Sequence, residues 1–251
     1  MRSVQGDFAT GGKGGRRAER IAAAHADTAD LIPFGDWALV CGVPCQHVAL
    51  PHPWATTGRV LALPTIPDAG RLARVTEWLQ ARSPQWTLMV RAEDEPKVDG
   101  FRRWDLMPVL ALGSQPTSRP LSPAEIGPAR DREEFLVPYG AELAPVVTDA
   151  HLAAKHMHHL VARVDGEPVG CARVRLMADT AYVGAVTVLP AWQGKGLGAA
   201  LTIASGELAA HYSDLIWLHC TPASRALYER LGYRHVDDHV LLVRADLGTG
   251  D

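Results

Sequence analysis

The sequence predicts a mixed α/β fold with a mostly antiparallel central sheet flanked by helices. Two features of its carboxy-terminal half lead there. An Asp165-Gly166 pair joins two apolar runs, and such a pair supplies the positive φ of a tight hairpin turn. Behind the hairpin, strand and helix signals alternate up to a final strand, a pattern that builds a mixed sheet.

Taken in order, residues 1–35 read as a flexible segment with a helix, loosened at its start by Gly11-Gly12 and Gly14-Gly15. The Arg16-Arg17 pair there does not open an export signal, because Glu19, Asp27 and Asp30 interrupt what would be the apolar region. In residues 36–112, Arg59–Leu63 reads as a strand, and Asp68 caps a helix whose apolar face is Leu72, Val75 and Leu79. Trp86–Val90 and Leu106–Leu112 are further strands. Residues 113–128, rich in Pro, Ser and Gly, read as a linker, and residues 129–251 form the second domain.

In that domain Val161–Val164 and Val169–Val174 make the hairpin, and Asp179-Thr180 starts another turn. Tyr182–Leu189 is a strand stopped by Pro190, which cannot donate to a ladder. Gly196–His211 is a helix, Leu215–His219 a buried strand, and Ser224–Leu231 a helix closed by Gly232. Val240–Val243 is the last strand. Gly100-Phe101-Arg102 parallels Gly232-Tyr233-Arg234, so the first half repeats the order of the second.

Composition narrows the function. The 251 residues carry a formal net charge of -3, without the basic excess of a nucleic-acid binder. No apolar run reaches the ~18 residues that suggest a membrane span. The four cysteines make neither a disulfide framework nor a zinc site, so a reduced, cytoplasmic setting is expected. Cys41 and Cys45 read as buried thiols. His151, His156, His158 and His159 read as a solvated helix end rather than a metal site.

The chemistry concentrates in Val186-Thr-Val-Leu-Pro-Ala-Trp-Gln-Gly-Lys-Gly-Leu-Gly-Ala-Ala-Leu201. A strand, a glycine-rich loop and a helix start aim several backbone N–H groups at one spot, at the positive end of the helix dipole. Glycine lets the backbone approach a phosphate closely, and Gln193 and Lys195 add a donor and a charge. The same residues fit a dinucleotide fingerprint. That fingerprint needs a carboxylate at the end of the next strand, where this chain has His219-Cys220. A glycine-rich turn without a ligand is the structural alternative.

The segment resembles the acetyl-CoA signature of the GNAT superfamily of N-acetyltransferases, Q/R-x-x-G-x-G/A, with Gln193, Gly196 and Gly198 at its fixed positions. The resemblance implies a GNAT fold, in tandem if the first half is a degenerate copy that does not bind CoA. It implies that the strand Val186, Thr187 and Val188 pairs with the pantetheine arm and polarises the thioester carbonyl. Gln193, Gly194, Lys195, Gly196, Leu197, Gly198 and Ala199 would hold the pyrophosphate. A second stretch, Ala226-Leu-Tyr-Glu-Arg-Leu-Gly-Tyr233, resembles the family's A-x-x-L-Y-E-K-x-G-F, and departs upstream at Thr221 and Ser224, where Asn and Ala are commoner. It puts Tyr228 on the tyrosine that often protonates the departing thiolate; the alternative is a core tyrosine.

The implied activity is acetyl transfer from acetyl-CoA to a primary amine of a small molecule or peptide, without a metal. A domain that holds acyl-CoA without turnover is the alternative. His219 and Cys220 lie near the expected thioester, and Asp179 and Tyr182 are candidate bases or relays; the general base stays unassigned.

Overall fold

The computed structural model describes residues 13–26, 36–47, 57–59, 68–84, 86–97, 100–113 and 124–245. Helix α1 (Lys13–Ala26) comes first. Gly14 and Gly15, expected in a flexible lead-in, already lie in this helix; residues 1–12 fall outside the described ones. Ile21 and Ala24 pack onto Met177, Leu215 and Trp217 of the second half. Arg20 reaches Asp179 and Asp214, each at 2.8 Å.

Strands β1 (Asp36–Val40) and β2 (Val43–His47) form a hairpin whose turn, Cys41-Gly42, takes φ of 52° and 83°. This turn exposes Cys41, against expectation, while Cys45 is buried and its thiol pushed up to about 12 by burial. Strand β3 (Thr57–Arg59) includes only the first residue of the expected Arg59–Leu63 strand; the rest lies outside the described residues. Helix α2 (Ala69–Gln80) is capped by Asp68, whose carboxylate accepts from the Arg71 N–H at 3.0 Å, and buries Val75 and Leu79. Strand β4 (Thr87–Arg91), a 3₁₀ turn over Ala92–Lys97 and strand β5 (Phe101–Leu112) complete the half.

Strand β6 (Glu125–Pro128) occupies the end of the expected linker and pairs with β7 (Met157–Val164). It lies at the edge of the sheet, so Pro128 leaves no inner ladder bond unmade. Helices α3 (Arg132–Tyr139) and α4 (Asp149–Ala153) stand between β6 and β7. Strand β8 (Glu167–Met177) closes the predicted hairpin through Asp165 and Gly166, with φ of 53° and 86°. Then come β9 (Thr180–Val188), α5 (Leu197–Ala210), β10 (Leu215–His219), α6 (Arg225–Arg230) and β11 (Tyr233–Arg244). The last strand runs far beyond the expected Val240–Val243.

The eleven strands of the described residues form one sheet in the order β1-β2-β3-β4-β11-β5-β10-β9-β8-β7-β6. The pairs β3–β4 and β9–β10 are parallel, each joined by a helix, and the other pairs are antiparallel. The sequence repeat is thus a repeat of β–α–β units about the sheet centre. There the terminal strands cross over: β5 pairs with β10 of the second half and β11 with β4 of the first, while β5 and β11 pair from Phe101↔Arg244 to Leu112↔Tyr233.

Candidate active site

Pro190 breaks β9 and starts a 3₁₀ turn through Trp192, from which Gln193 returns its side-chain amide to the Val188 carbonyl at 3.1 Å. Gly194 and Gly196 then take φ of 75° and 80°, values that leave an L side chain strained. A Cβ added at Gly194 would meet nothing within 4 Å, so the loop is open there, and Lys195 stretches over the Trp192 ring at 4.3 Å. Gly196 is the N-cap of α5 and no side chain bonds to that cap; the first intrahelical bond is Ala200 N–H to Gly196 carbonyl at 3.0 Å. The N–H groups of Leu197, Gly198 and Ala199 therefore begin the helix without a side-chain acceptor and without an acidic residue in the first turn. The Leu197 side chain itself turns inward beside Leu201 and Ala172, so that only its backbone can serve the loop.

Val186, Thr187 and Val188 lie on a distorted strand. Opposite Cys171 and Arg173, β9 places Thr187 and Gly184, so Ala185 and Val186 together face one residue of β8. That is a β-bulge, with Ala185 at φ 54°. On its other side β9 pairs with β10 only from Thr180↔Leu215 to Tyr182↔Trp217. Beyond that point the two strands part, while the other edge of β10 stays paired with β5 from Trp217↔Ala111 to His219↔Val109. The result is a gap beside Val183–Val188 that leads to the open end of α5.

The two faces of the sheet bring different groups to this gap. On the α5 face, Tyr228 packs with Val183, Leu218 and Cys220, and Val186 and Ala199 lie at the rim of the same cluster. Burial, with Tyr182 and Cys220 nearby, pushes the Tyr228 phenol up to about 12, and burial raises the Cys220 thiol to about 11. On the opposite face Tyr182 and Trp217 pack with the core under α1, and the His219 ring stands 5.8 Å from Tyr182. His219 Nε2 and His239 Nδ1 are 2.8 Å apart, and His239 Nε2 lies 3.7 Å from the Asp237 carboxylate, which accepts from Arg91 Nε at 2.7 Å. His239 and Asp237 were not singled out by their sequence, since nothing local shows that β11 will run beside β10's neighbour.

Two expectations need correction. His151 and His159 are buried, not solvated, because His151 closes a capping box with Thr148 and His159 points from β7 onto Phe135. Burial, and then Arg173, hold His151 down at about 4 and His159 at about 3. Asp179 is committed to Arg20 at the far end of β9 from the gap. Among the described residues no group of three or more His, Cys, Asp or Glu could hold a metal ion, and no helix is long and apolar enough to cross a membrane.

Residues 129–233 match the model of the acetyltransferase (GNAT) family. Among solved structures the chain is similar to a GCN5-related N-acetyltransferase from Kribbella flavida, at 18% identity, 93% coverage of this chain, 98% of that one and a TM-score of 0.71. It is also similar to a tandem GNAT protein from the clavulanic acid biosynthesis pathway (17% identity, 82% and 79% coverage, TM-score 0.58). A GCN5-related N-acetyltransferase-like protein from Streptococcus suis compares at 15% identity, 92% and 99% coverage and a TM-score of 0.55. No curated protein matches the sequence. The identities are low and speak for the fold alone.

Proposed function

We propose that the carboxy-terminal domain transfers an acetyl group from acetyl-CoA to a primary amine of a small molecule or peptide by direct attack. The observation that carries this reading is the uncapped start of α5 beside a bulged strand that has parted from its neighbour. The first-turn N–H groups of α5 and the dipole behind them would bind the pyrophosphate, with Lys195 and Gln193 at the loop. The pantetheine arm would enter the gap and pair with the backbone of Val186–Val188. An N–H of that strand, fixed before the reaction, would stabilise the oxyanion.

Tyr228 would protonate the leaving thiolate, and the local environment suits it. A thiol in water titrates near 8.5, so a phenol at about 12 would give up its proton at a cost of about 5 kcal/mol. Beside Tyr228, however, burial raises the Cys220 thiol to about 11, and a CoA thiol in the same surroundings would be raised in the same direction, which narrows the difference. The seclusion that makes Tyr228 a weak acid also makes the thiolate a strong base.

The test is an acceptor screen with acetyl-CoA and primary amines, following free thiol release and the mass of the product. Amine-dependent release with an acetylated product supports the reading. CoA binding without release from any amine would make the domain a binding module instead.

A further inference from the structure

Resting on that transferase reading, we propose that the acceptor is an anionic amine, carrying a carboxylate or phosphate besides its primary amine, and that Arg173 on β8 holds the anion. Helices α5 and α6 pack on one face of the sheet beside the gap. An acceptor therefore reaches a thioester in the gap from the other face. There α1 packs on Met177, Leu215 and Trp217, and α3 sets Phe135 against Val161, Cys171 and Ala185. Between these two helices the floor stays open among the described residues. Strand β9 is an interior strand, yet Tyr182 and residues 184–188 are only half-buried. Gly184 carries no side chain, and the Tyr182 ring lies along the strand over it: a Cβ at Gly184 would stand 2.6 Å from Tyr182 Cε1.

Arg173 enters this floor directly opposite Gly184 in the β8–β9 ladder. The residue is half-buried, and its guanidinium stands 5.9 Å from the centre of the Tyr139 ring at the end of α3. Among the described residues that guanidinium makes no ion pair and no hydrogen bond. Its arginine neighbours near α3 are committed elsewhere. Arg163 pairs with Glu134 at 2.6 Å, and Arg132 donates to the carbonyls of Val147 and Ala144. A partly desolvated guanidinium without a counter-charge is a standing cost to the fold. Its planar fork of donors matches a carboxylate or a phosphate.

A second donor lies beside it. His159 faces Arg173 across the β7–β8 ladder, so the two side chains share a face of the sheet. The His159 ring is buried, and neither of its nitrogens has a hydrogen-bond partner among the described residues. A neutral imidazole carries one N–H, so the fold leaves an idle donor next to an idle cation. The ring stays neutral, through burial first and then through Arg173, and it brings no opposite charge. The next residue of β8 on that face is another cation, Arg175, 5.5 Å over the Tyr182 ring.

An acceptor with a carboxylate or phosphate supplies the missing counter-charge. Held across the strand from Gly184, the anion keeps the amine over the stretch of β9 that lines the gap, and such positioning supplies much of the acceleration of a direct attack. A polyamine brings a second cation to the same place and is repelled. Arg173 is a specificity-determining residue and takes no part in proton transfer.

The experiment measures kcat and KM of the full chain with acetyl-CoA and primary amines in matched pairs: β-alanine against β-alaninamide, and 2-aminoethyl phosphate against ethanolamine. Wild type should prefer the charged member of a pair by about tenfold or more in kcat/KM, as a charge-assisted bond in a partly dry site gives. The two pairs separate a carboxylate site from a phosphate site. Arg173→Met keeps the stem and removes the charge. It should raise KM for the charged member by about tenfold or more, leave the neutral member within a factor of about three, and leave CoA affinity unchanged. Arg173→Lys should recover part of the loss, since it restores the charge without the fork. Equal use of both members by wild type, use of the neutral member alone, or an Arg173→Met variant that slows both members alike would overturn the anionic acceptor. Each of these leaves the transferase reading standing, because thiol is still released. Wild-type protein that binds CoA but acetylates no amine, in these pairs or in the wider acceptor screen, would overturn both.

Discussion

Arg91 Nε donates to Asp237 Oδ2 at 2.7 Å, and the two residues come from opposite halves of the chain. Burial pushes the Asp237 carboxyl up, but the nearby His239 and the hydrogen bond from Arg91 outweigh it and hold it below the ordinary range. Arg91→Met should cost about 1–3 kcal/mol of stability at neutral pH, because a largely buried carboxylate loses its cation. The sign with pH follows from the lowered value: the stabilisation is full above the unfolded pKa near 3.9 and is lost as pH falls through the folded one. Urea unfolding at pH 7 and pH 3 should therefore show the wild-type advantage shrinking at the lower pH. An equal advantage at both would mean that the ion pair is not its source.

His159 makes the opposite contribution. Both its ring nitrogens are buried without a hydrogen-bond partner among the described residues, and burial keeps the ring neutral down to about pH 3. The unfolded chain takes up this proton near pH 6.5, so acid favours unfolding across the interval between the two values. His159→Leu should be at least as stable at pH 7. It should also flatten the fall of stability between about pH 6 and pH 4, by up to about 1.4 kcal/mol for each pH unit. An unchanged slope in denaturant titrations would show that the proton is taken up elsewhere.

Tyr228→Phe keeps the ring that packs at 6.0 Å from Tyr233 and removes only the hydroxyl. It should lower kcat by about 10²-fold or more with little change in KM for acetyl-CoA. A kcat within a factor of about two would make Tyr228 a core residue and leave protonation of sulfur to water.

The loop and helix of the candidate site were legible because their signals are local. Pro190 stops a strand, Gly194 and Gly196 permit the turn, and Leu197 with Leu201 mark the buried side of α5. The Asp165-Gly166 hairpin was legible for the same reason. Strand β11 was not, because Arg234, His235, Asp237 and Asp238 interrupt its apolar pattern on a half-exposed stretch. Nor was β6, where Gly127 and Pro128 suggest a linker yet suit an edge strand. The His219–His239 contact depends on the exchange of β5 and β11, which puts Val109 opposite one histidine and Met107 opposite the other. No spacing within the sequence encodes that register.

The two β–α–β units place the central claim within reach of one titration. In the first half Asp68 caps α2 and sets a carboxylate where an anion would have to sit; in the second Gly196 leaves α5 open. Calorimetry of the full chain with CoA should saturate at one site per chain. Gly198 is the cleanest probe of that site, since a Cβ there would meet only Val188 Cγ2, at 3.9 Å. Gly198→Val should retain the fold and weaken CoA by at least tenfold, about 1.4 kcal/mol. Two equivalent sites, no binding at all, or unchanged affinity in Gly198→Val would contradict the assignment of the acyl-donor site to the start of α5.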